Sequence, residues 1–486
     1  MEEIISELRS TRTYKDIYDI PWKMMMKNND KLSKNLSNKL RIALICHPCY
    51  GFGDIIFAFK MYQYIKKWYG IKCTMLTTKP KPFLQNGLKD VYCLKKPGSS
   101  KYVECDNLKF MKIYNIDKDG NPTIKAKLKH EFDLIMVTPW IGSDYEPDKN
   151  IVKNFLPYAN KFNTLLFSDY NPAEPKKYDF PTGIGKNLFG VLLTQFKFEK
   201  TIKLKNPYLM VHLTNDYRVN VGKCFSNFIK LMCKKYHKHH RKLDVVIPKH
   251  VLEDKESLLK LFNSIRKNGY YKNFIIKTDK NDKSKTPDNT LTLRADIGPF
   301  PYGQYTGLFK NCLPDVLITG DQSVTDIISC CKDFNIYYQI MPWKTGFAKN
   351  LAIGLKQDFI RKVSTSCGLE KFSTKMHTNI KNVAKNHDFV KLGKPKLDAI
   401  LMAALEIKKN KITINPAFPQ ASRIVASFFD SYLEKDNKNA PFSIVAGYPG
   451  VQYPGLFPKN LTIFLALNGF PSNASGYINI DSSINF

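Results

Sequence analysis

No stretch of this sequence reaches the roughly 18 consecutive apolar residues that a membrane-spanning helix requires, so no transmembrane segment is expected. Met1–Ser10 opens on acidic residues and has no apolar core, so it does not read as a secretory signal. Nucleic-acid signatures are missing as well: there is no ribonucleoprotein-type aromatic motif, no zinc-finger spacing and no long Arg-rich run. Acidic residues are scarce, with 43 Asp and Glu against 75 Lys and Arg and a formal charge of +32. Such a field attracts polyanions, whether nucleic acid, anionic membrane or nucleotide phosphates. The basic residues are mostly Lys, spread along the chain and mixed with Asn, as an AT-rich coding sequence produces. Nucleic acid is therefore a partner by net charge only.

What is present is the material of a large globular interior. The chain has 486 residues, 43% of them hydrophobic and 13% aromatic, which is too much for one ordinary core and fits two domains with extensions. Eleven cysteines, an odd number without a secretory signal, fit free and mostly buried thiols in a reducing, cytoplasm-like compartment.

The pattern along the chain alternates strand and helix. Arg41–Cys46 is a short apolar run, followed by a Gly-containing turn and a helical pattern from Asp54 to Tyr69. Cys73–Thr78, Phe132–Val137 and Thr164–Phe167 read as further strands. The scheme restarts near Pro207 with Tyr208–Leu213 and a helix over Cys224–Tyr236. Strands follow at Leu243–Ile247, Phe274–Ile276, Leu291–Leu293, Val316–Thr319 and Ile336–Ile340, with helices at Glu256–Arg266 and Val324–Cys331. Two such series predict two α/β, Rossmann-like domains with parallel sheets. The expected division is a lead-in over 1–38, one domain over 39–200, a second over 201–365 and a helical and irregular extension over 366–486. Leu397–Glu406 and Ala421–Leu433 look helical there, and the tail from Pro441 has no helical period.

The most informative segment is Gly298–Asn350. It holds Gly-Pro-Phe-Pro-Tyr-Gly-Gln-Tyr, then a strand ending in Thr-Gly-Asp-Gln-Ser, then Tyr-Gln-Ile-Met-Pro-Trp-Lys. Gly320, Asp321, Gln322 and Ser323 lie between a strand and a helix, where free N–H groups and the helix dipole favour an anion such as a pyrophosphate. Asp321 or Ser323 would cap the helix, and an ordinary cap is the competing reading. This order of elements resembles the nucleotide-sugar domain of GT-B glycosyltransferases, above all bacterial protein-arginine rhamnosyltransferases and heptosyltransferase-like enzymes. The resemblance implies two Rossmann-like domains facing across a cleft. It places Phe300, Pro301 and Tyr302 at the nucleotide base, and Asp321, Gln322 and Ser323 at the ribose and diphosphate. Gln322 stands where the rhamnosyltransferases carry a carboxylate.

Two further loops close strands. Tyr50-Gly51-Phe52-Gly53-Asp54 is similar to the Gly-Asp turns on the acceptor side of the same enzymes, which makes Asp54 the candidate base. N-capping by Asp54, with Gly51 and Gly53 merely shaping the turn, is the competing reading. His212 to Arg218 closes the first strand of the second domain. There Thr214 and Asn215 could bind phosphate and Arg218 could neutralise it, or the segment is an ordinary polar loop. Cys46-His-Pro-Cys49 has redox spacing, but Cys46 ends a strand instead of opening a helix. No second ligand pair completes a zinc site.

The resemblance implies a glycosyltransferase that takes a nucleotide-diphosphate sugar as substrate and a glycan or protein as acceptor. Transfer is expected to be inverting, with no metal and no cofactor. The alternatives are a non-catalytic nucleic-acid-binding or virion protein on the same scaffold, and a nucleotide-sugar epimerase.

Overall fold

The computed structural model describes residues 36, 39–48, 52–98, 108–128, 131–140, 149–159, 163–194, 204–214, 221–282, 284–298, 302–330, 334–341, 344–355, 369–371 and 383–409. Of the lead-in over 1–38 all but residue 36, and the whole of Ala421–Leu433 and the tail from Pro441, lie outside the described residues.

In the first half the chain forms β1 (Ile42–Cys46), α1 (Gly53–Tyr69), β2 (Thr74–Thr77), α2 (Pro80–Gln85), β3 (Val91–Lys95), β4 (Lys112–Ile116), β5 (Pro122–Lys125), β6 (Leu134–Trp140), β7 (Thr164–Tyr170) and β8 (Phe180–Thr182). Every residue of β1 and β6 is buried, as befits central strands covered on both faces. The sheet order is β5-β4-β3-β2-β1-β6-β7-β8. All pairs from β3 to β8 are parallel, while β4 and β5 add an antiparallel edge. The parallel part thus has the Rossmann order, and its direction of winding reverses between β1 and β6.

The second half comprises β9 (Tyr208–His212), α3 (Val221–Tyr236), β10 (Lys242–Val246), α4 (Lys255–Lys267), β11 (Asn273–Lys277), β12 (Thr290–Arg294), α5 (Tyr302–Asn311), β13 (Asp315–Thr319), α6 (Asp321–Cys330), β14 (Asn335–Gln339), α7 (Thr345–Leu355) and β15 (Leu369–Lys371). Its order is β11-β12-β10-β9-β13-β14-β15, parallel except for the last pair, with the reversal between β9 and β13. Ligands of open parallel sheets bind outside the carboxyl ends of the strands at such reversals.

The chain then comes back. Helices α8 (Phe389–Leu392) and α9 (Lys394–Lys409) pack on the first half. Phe389 stacks on Trp68 with rings 6.5 Å apart, and its N–H donates to Val191 O at 3.0 Å. Lys396 Nζ donates to Asp179 O at 2.6 Å, Lys408 pairs with Asp133 at 2.8 Å, and Tyr69 OH donates to Asp398. At Gly190, with φ of 80°, an added Cβ would lie 2.5 Å from His387 O, so only glycine lets the returning segment approach this closely. The described cysteines form no disulfide with one another, and all but Cys330 are buried. No described helix is long and apolar enough to cross a membrane.

Candidate active site

At the first reversal β1 ends at Cys46 and α1 starts at Gly53. Phe52 occupies the N-cap position, offers no side-chain cap and is 65% exposed. Asp54 sits in the first turn, partly buried, and is not the cap that the turn sequence allowed. Cys46 is buried and its thiol lies 3.6 Å from Asp54 O. Gly51 and Cys49 lie outside the described residues.

At the second reversal β13 ends at Thr319, Gly320 takes φ of 78°, and α6 begins at once with Asp321. The helix thus opens earlier than the apolar pattern from Val324 indicated, because Asp321, Gln322 and Ser323 form its first turn. Neither Asp321 nor Ser323 is a flanking cap. Asp321 instead accepts from Gln322 N at 2.8 Å, so a carboxylate already sits against the positive end of the helix. Its other oxygen is 2.8 Å from Lys344 Nζ, and Lys344 also meets Asp169 Oδ2 at 2.6 Å at the carboxyl end of β7. Burial opposes the ammonium form of Lys344, but Asp321 and Asp169 outweigh it and hold its pKa well above the ordinary lysine range. One cation thus joins strand ends of the two halves.

The two reversals meet. A Cβ placed on Gly53 would lie 3.7 Å from Gln322 Cγ, in ordinary van der Waals contact. Behind that contact Lys60 of α1 is wholly buried, with its Nζ 2.7 Å from Asp326 Oδ1 of α6. The same ammonium donates to Leu192 O at 3.0 Å, Gln322 Oε1 at 3.3 Å and Thr325 Oγ1 at 3.3 Å. Asp326 also accepts from Tyr302 OH and from Thr194 Oγ1 at 3.2 Å. Tyr302 is buried edge-on against Phe59, and its N–H donates to Asn86 Oδ1 at 3.0 Å. Burial, then the neighbouring Asp326, pushes its phenol pKa far up.

The structure therefore brings Gly53, Asp54, Tyr302, Gly320, Asp321, Gln322 and Ser323 to one junction, with Tyr302 and Gln322 serving contacts between the halves. Thr214 stands at the end of β9, where its N–H donates to Gln339 Oε1 at 3.2 Å. Asn215, Arg218, Phe300 and Pro301 lie outside the described residues. Lys60, Asp169 and Asp326 escaped the motif reading, and Gln339 and Lys344 stood in the run Tyr-Gln-Ile-Met-Pro-Trp-Lys without a role. Lys60 did leave a signal, because it falls on the helix face shared by Phe57, Met61 and Tyr64, all buried. A charge on a buried face calls for a partner. Among the described residues no three His, Cys, Asp or Glu side chains cluster as a metal site.

No protein-family model matches this chain, and neither does any curated protein. Solved structures do match. The E. coli heptosyltransferase WaaC with ADP-2-deoxy-2-fluoro heptose is 9% identical, with a TM-score of 0.33 over 62% of this chain and 93% of that one. A glycosyl transferase family 9 structure from Veillonella parvula DSM 2008 is 9% identical, with a TM-score of 0.31 over 75% and 97%. The trehalose-6-phosphate synthase OtsA is 12% identical, with a TM-score of 0.27 over 82% and 80%. Likenesses of this size are of outline and carry no functional argument.

Proposed function

We propose that this chain is a GT-B-type glycosyltransferase acting on a nucleotide-diphosphate sugar. The observation that supports this most is the approach of Gly53 to Gln322, close enough that an added Cβ would lie 3.7 Å from Gln322 Cγ, which sets the loop carrying Asp54 beside the helix terminus at Gly320–Ser323. Each lies where a parallel sheet reverses its winding, the usual place for a ligand. In this reading the second half holds the nucleotide and the first presents the acceptor. Asp54 takes the proton of the acceptor hydroxyl or amide as that atom attacks the anomeric carbon. The bond from that carbon to the diphosphate breaks, with inversion. Lys344, already shared by Asp169 and Asp321, is placed to balance the departing charge, and Arg218 is the second cation on the sequence reading alone. No metal is required for these steps.

The test is thermal stabilisation of the purified protein by nucleoside diphosphates and nucleotide-sugars, since a ligand of the folded state raises stability by mass action. A shift with one base, lost in Asp321→Ala and kept in Asp54→Ala, is the expected result. No shift across the set sinks the reading.

A second reading has an observation of its own. Asp321 and Gln322 are buried and engaged by Lys344 and Lys60 before any ligand arrives. That suits a non-catalytic protein on a fixed two-domain scaffold. Steeply salt-dependent DNA binding without nucleotide binding would favour it.

A further inference from the structure

We infer that the buried carboxamide of Gln339 is a recognition group for the ligand, donating from Nε2 to a hydroxyl oxygen of a pentose or hexose ring at the second reversal. The inference rests on the nucleotide-sugar reading above and names the part of that ligand read by this chain.

Gln339 is the last residue of β14, and its register partner Thr319 is the last of β13, directly before Gly320. Its side chain is wholly buried. Thr319 Oγ1 donates to the Gln339 carbonyl at 3.0 Å, which fixes the strand end. The amide Oε1 accepts from Thr214 N at 3.2 Å, although Thr214 follows β9 on the far side of β13. The carboxamide therefore spans the carboxyl end of β13, from β14 to β9.

The Thr214 N–H also settles which arm of the amide is oxygen, since a flipped amide would set N–H against N–H. Nε2 is then the free arm. It is buried and has no hydrogen-bond partner among the described residues. A buried amide nitrogen with two unmet N–H groups is rare in native proteins and points to a partner from outside the chain. Gly320, which directly follows the register partner of Gln339, faces open space, because a Cβ added there would meet nothing within 4 Å.

Charge decides what kind of acceptor fits. Among the described residues, Asp321 and Asp169 share the ammonium of Lys344, so two carboxylates face one cation beside this strand end. His212, at the end of β9, adds no cation at neutral pH, because burial and then the nearby His250 lower its pKa to about 4. A phosphate oxygen would meet a carboxylate here, whereas a ring hydroxyl can accept from Gln339 and donate to Asp321. That is a donor and an acceptor set for a polyol.

Two substitutions read the nitrogen separately from the fold. Gln339→Glu keeps an oxygen for Thr214 N–H and replaces the nitrogen by an acceptor. Gln339→Met fills the same volume without either group. Binding of UDP, ADP and GDP, their 2′-deoxy forms, and UDP-glucose, ADP-glucose and GDP-mannose would be measured for each variant and the wild type, together with the melting temperature without ligand. The expected result is that both variants melt within a few degrees of the wild type and bind the preferred nucleotide-sugar at least about tenfold more weakly. If the 2′-deoxy nucleotide loses the same factor in the wild type and nothing further in the variants, the ring is the ribose. If the diphosphates bind all three proteins alike and only the sugar conjugates weaken, it is the transferred sugar. Variants that bind every compound as the wild type does would overturn the inference, as would an ordered water as the sole partner of Nε2 in the ligand-bound crystal. A wild type that binds none of the compounds overturns the nucleotide-sugar reading itself, and this inference with it.

Discussion

Lys60 Nζ and Asp326 Oδ1 lie 2.7 Å apart, the first on the opening helix of one half and the second on the helix that follows the turn at Gly320 in the other, and water reaches neither side chain appreciably. The pair holds Asp54 and Gln322 in one register. Removing a single partner strands a charge in the interior. Lys60→Met and Asp326→Leu are each expected to lower stability by about 3–5 kcal/mol, and the double variant by much less than their sum. Urea unfolding of the four proteins checks this. Additive losses would show that the two groups do not depend on each other.

Asp54 takes part in the chemistry of the proposed reaction, and it sits in the first turn of its helix, partly buried, not at the cap position. Asp54→Asn is expected to leave nucleotide-sugar affinity within about twofold and to slow transfer by roughly 10²–10⁴. Binding isotherms beside a transfer assay give the answer. A matching loss of affinity would place Asp54 in ligand binding instead.

His212 makes acid stability readable. Its folded pKa is lowered to about 4 from an ordinary 6.5, by burial first and the charge of His250 second. The unfolded chain therefore binds the extra proton between those values, and stability falls as pH drops from about 6.5 toward 4. In His212→Asn that part of the decline disappears. Melting temperatures of both proteins across this range should converge at the acid end.

Lys344 behaves oppositely. Its folded pKa lies above the ordinary 10.5 because Asp321 and Asp169 outweigh the burial that opposes its charge. Its contribution is thus complete below pH 10.5 and fades only above that. Lys344→Met is expected to cost about 3 kcal/mol at neutral pH, the low end for a buried pair because Asp169 is partly exposed. The gap to the wild type should stay level up to about pH 10. A gap that closes by pH 9 would argue that the lysine is not held by the two carboxylates.

The central strands were legible because a strand buried on both faces has to be written as an unbroken apolar run. Ile42–Cys46 shows this throughout and Asp315–Thr319 shows it over Val316–Ile318, and both are entirely buried. Edge strands escape that rule. Pro122–Lys125 is mostly exposed and reads as loop, and Lys112–Ile116 alternates lysine, apolar and polar residues, with only Ile113 fully buried. The turn at Gly320–Ser323 was visible as chemistry, but not its employment. Gln322 meets Lys60 and Gly53, residues that nothing in local spacing connects to it. Gln339 was hidden for the same reason, since Tyr-Tyr-Gln-Ile is an ordinary strand end until Thr214 is seen to lie across from it.

The return of Lys394–Lys409 to the first half bears on how the protein is made. Phe389 covers Trp68, and the bond from Phe389 N–H to Val191 O closes an edge of the first sheet's surroundings. A ribosome releases the whole second half before it releases that cover. The first half must therefore wait, with aromatic surface unshielded, for a segment synthesised after the second half, and chains truncated ahead of Phe389 would lack that cover on Trp68.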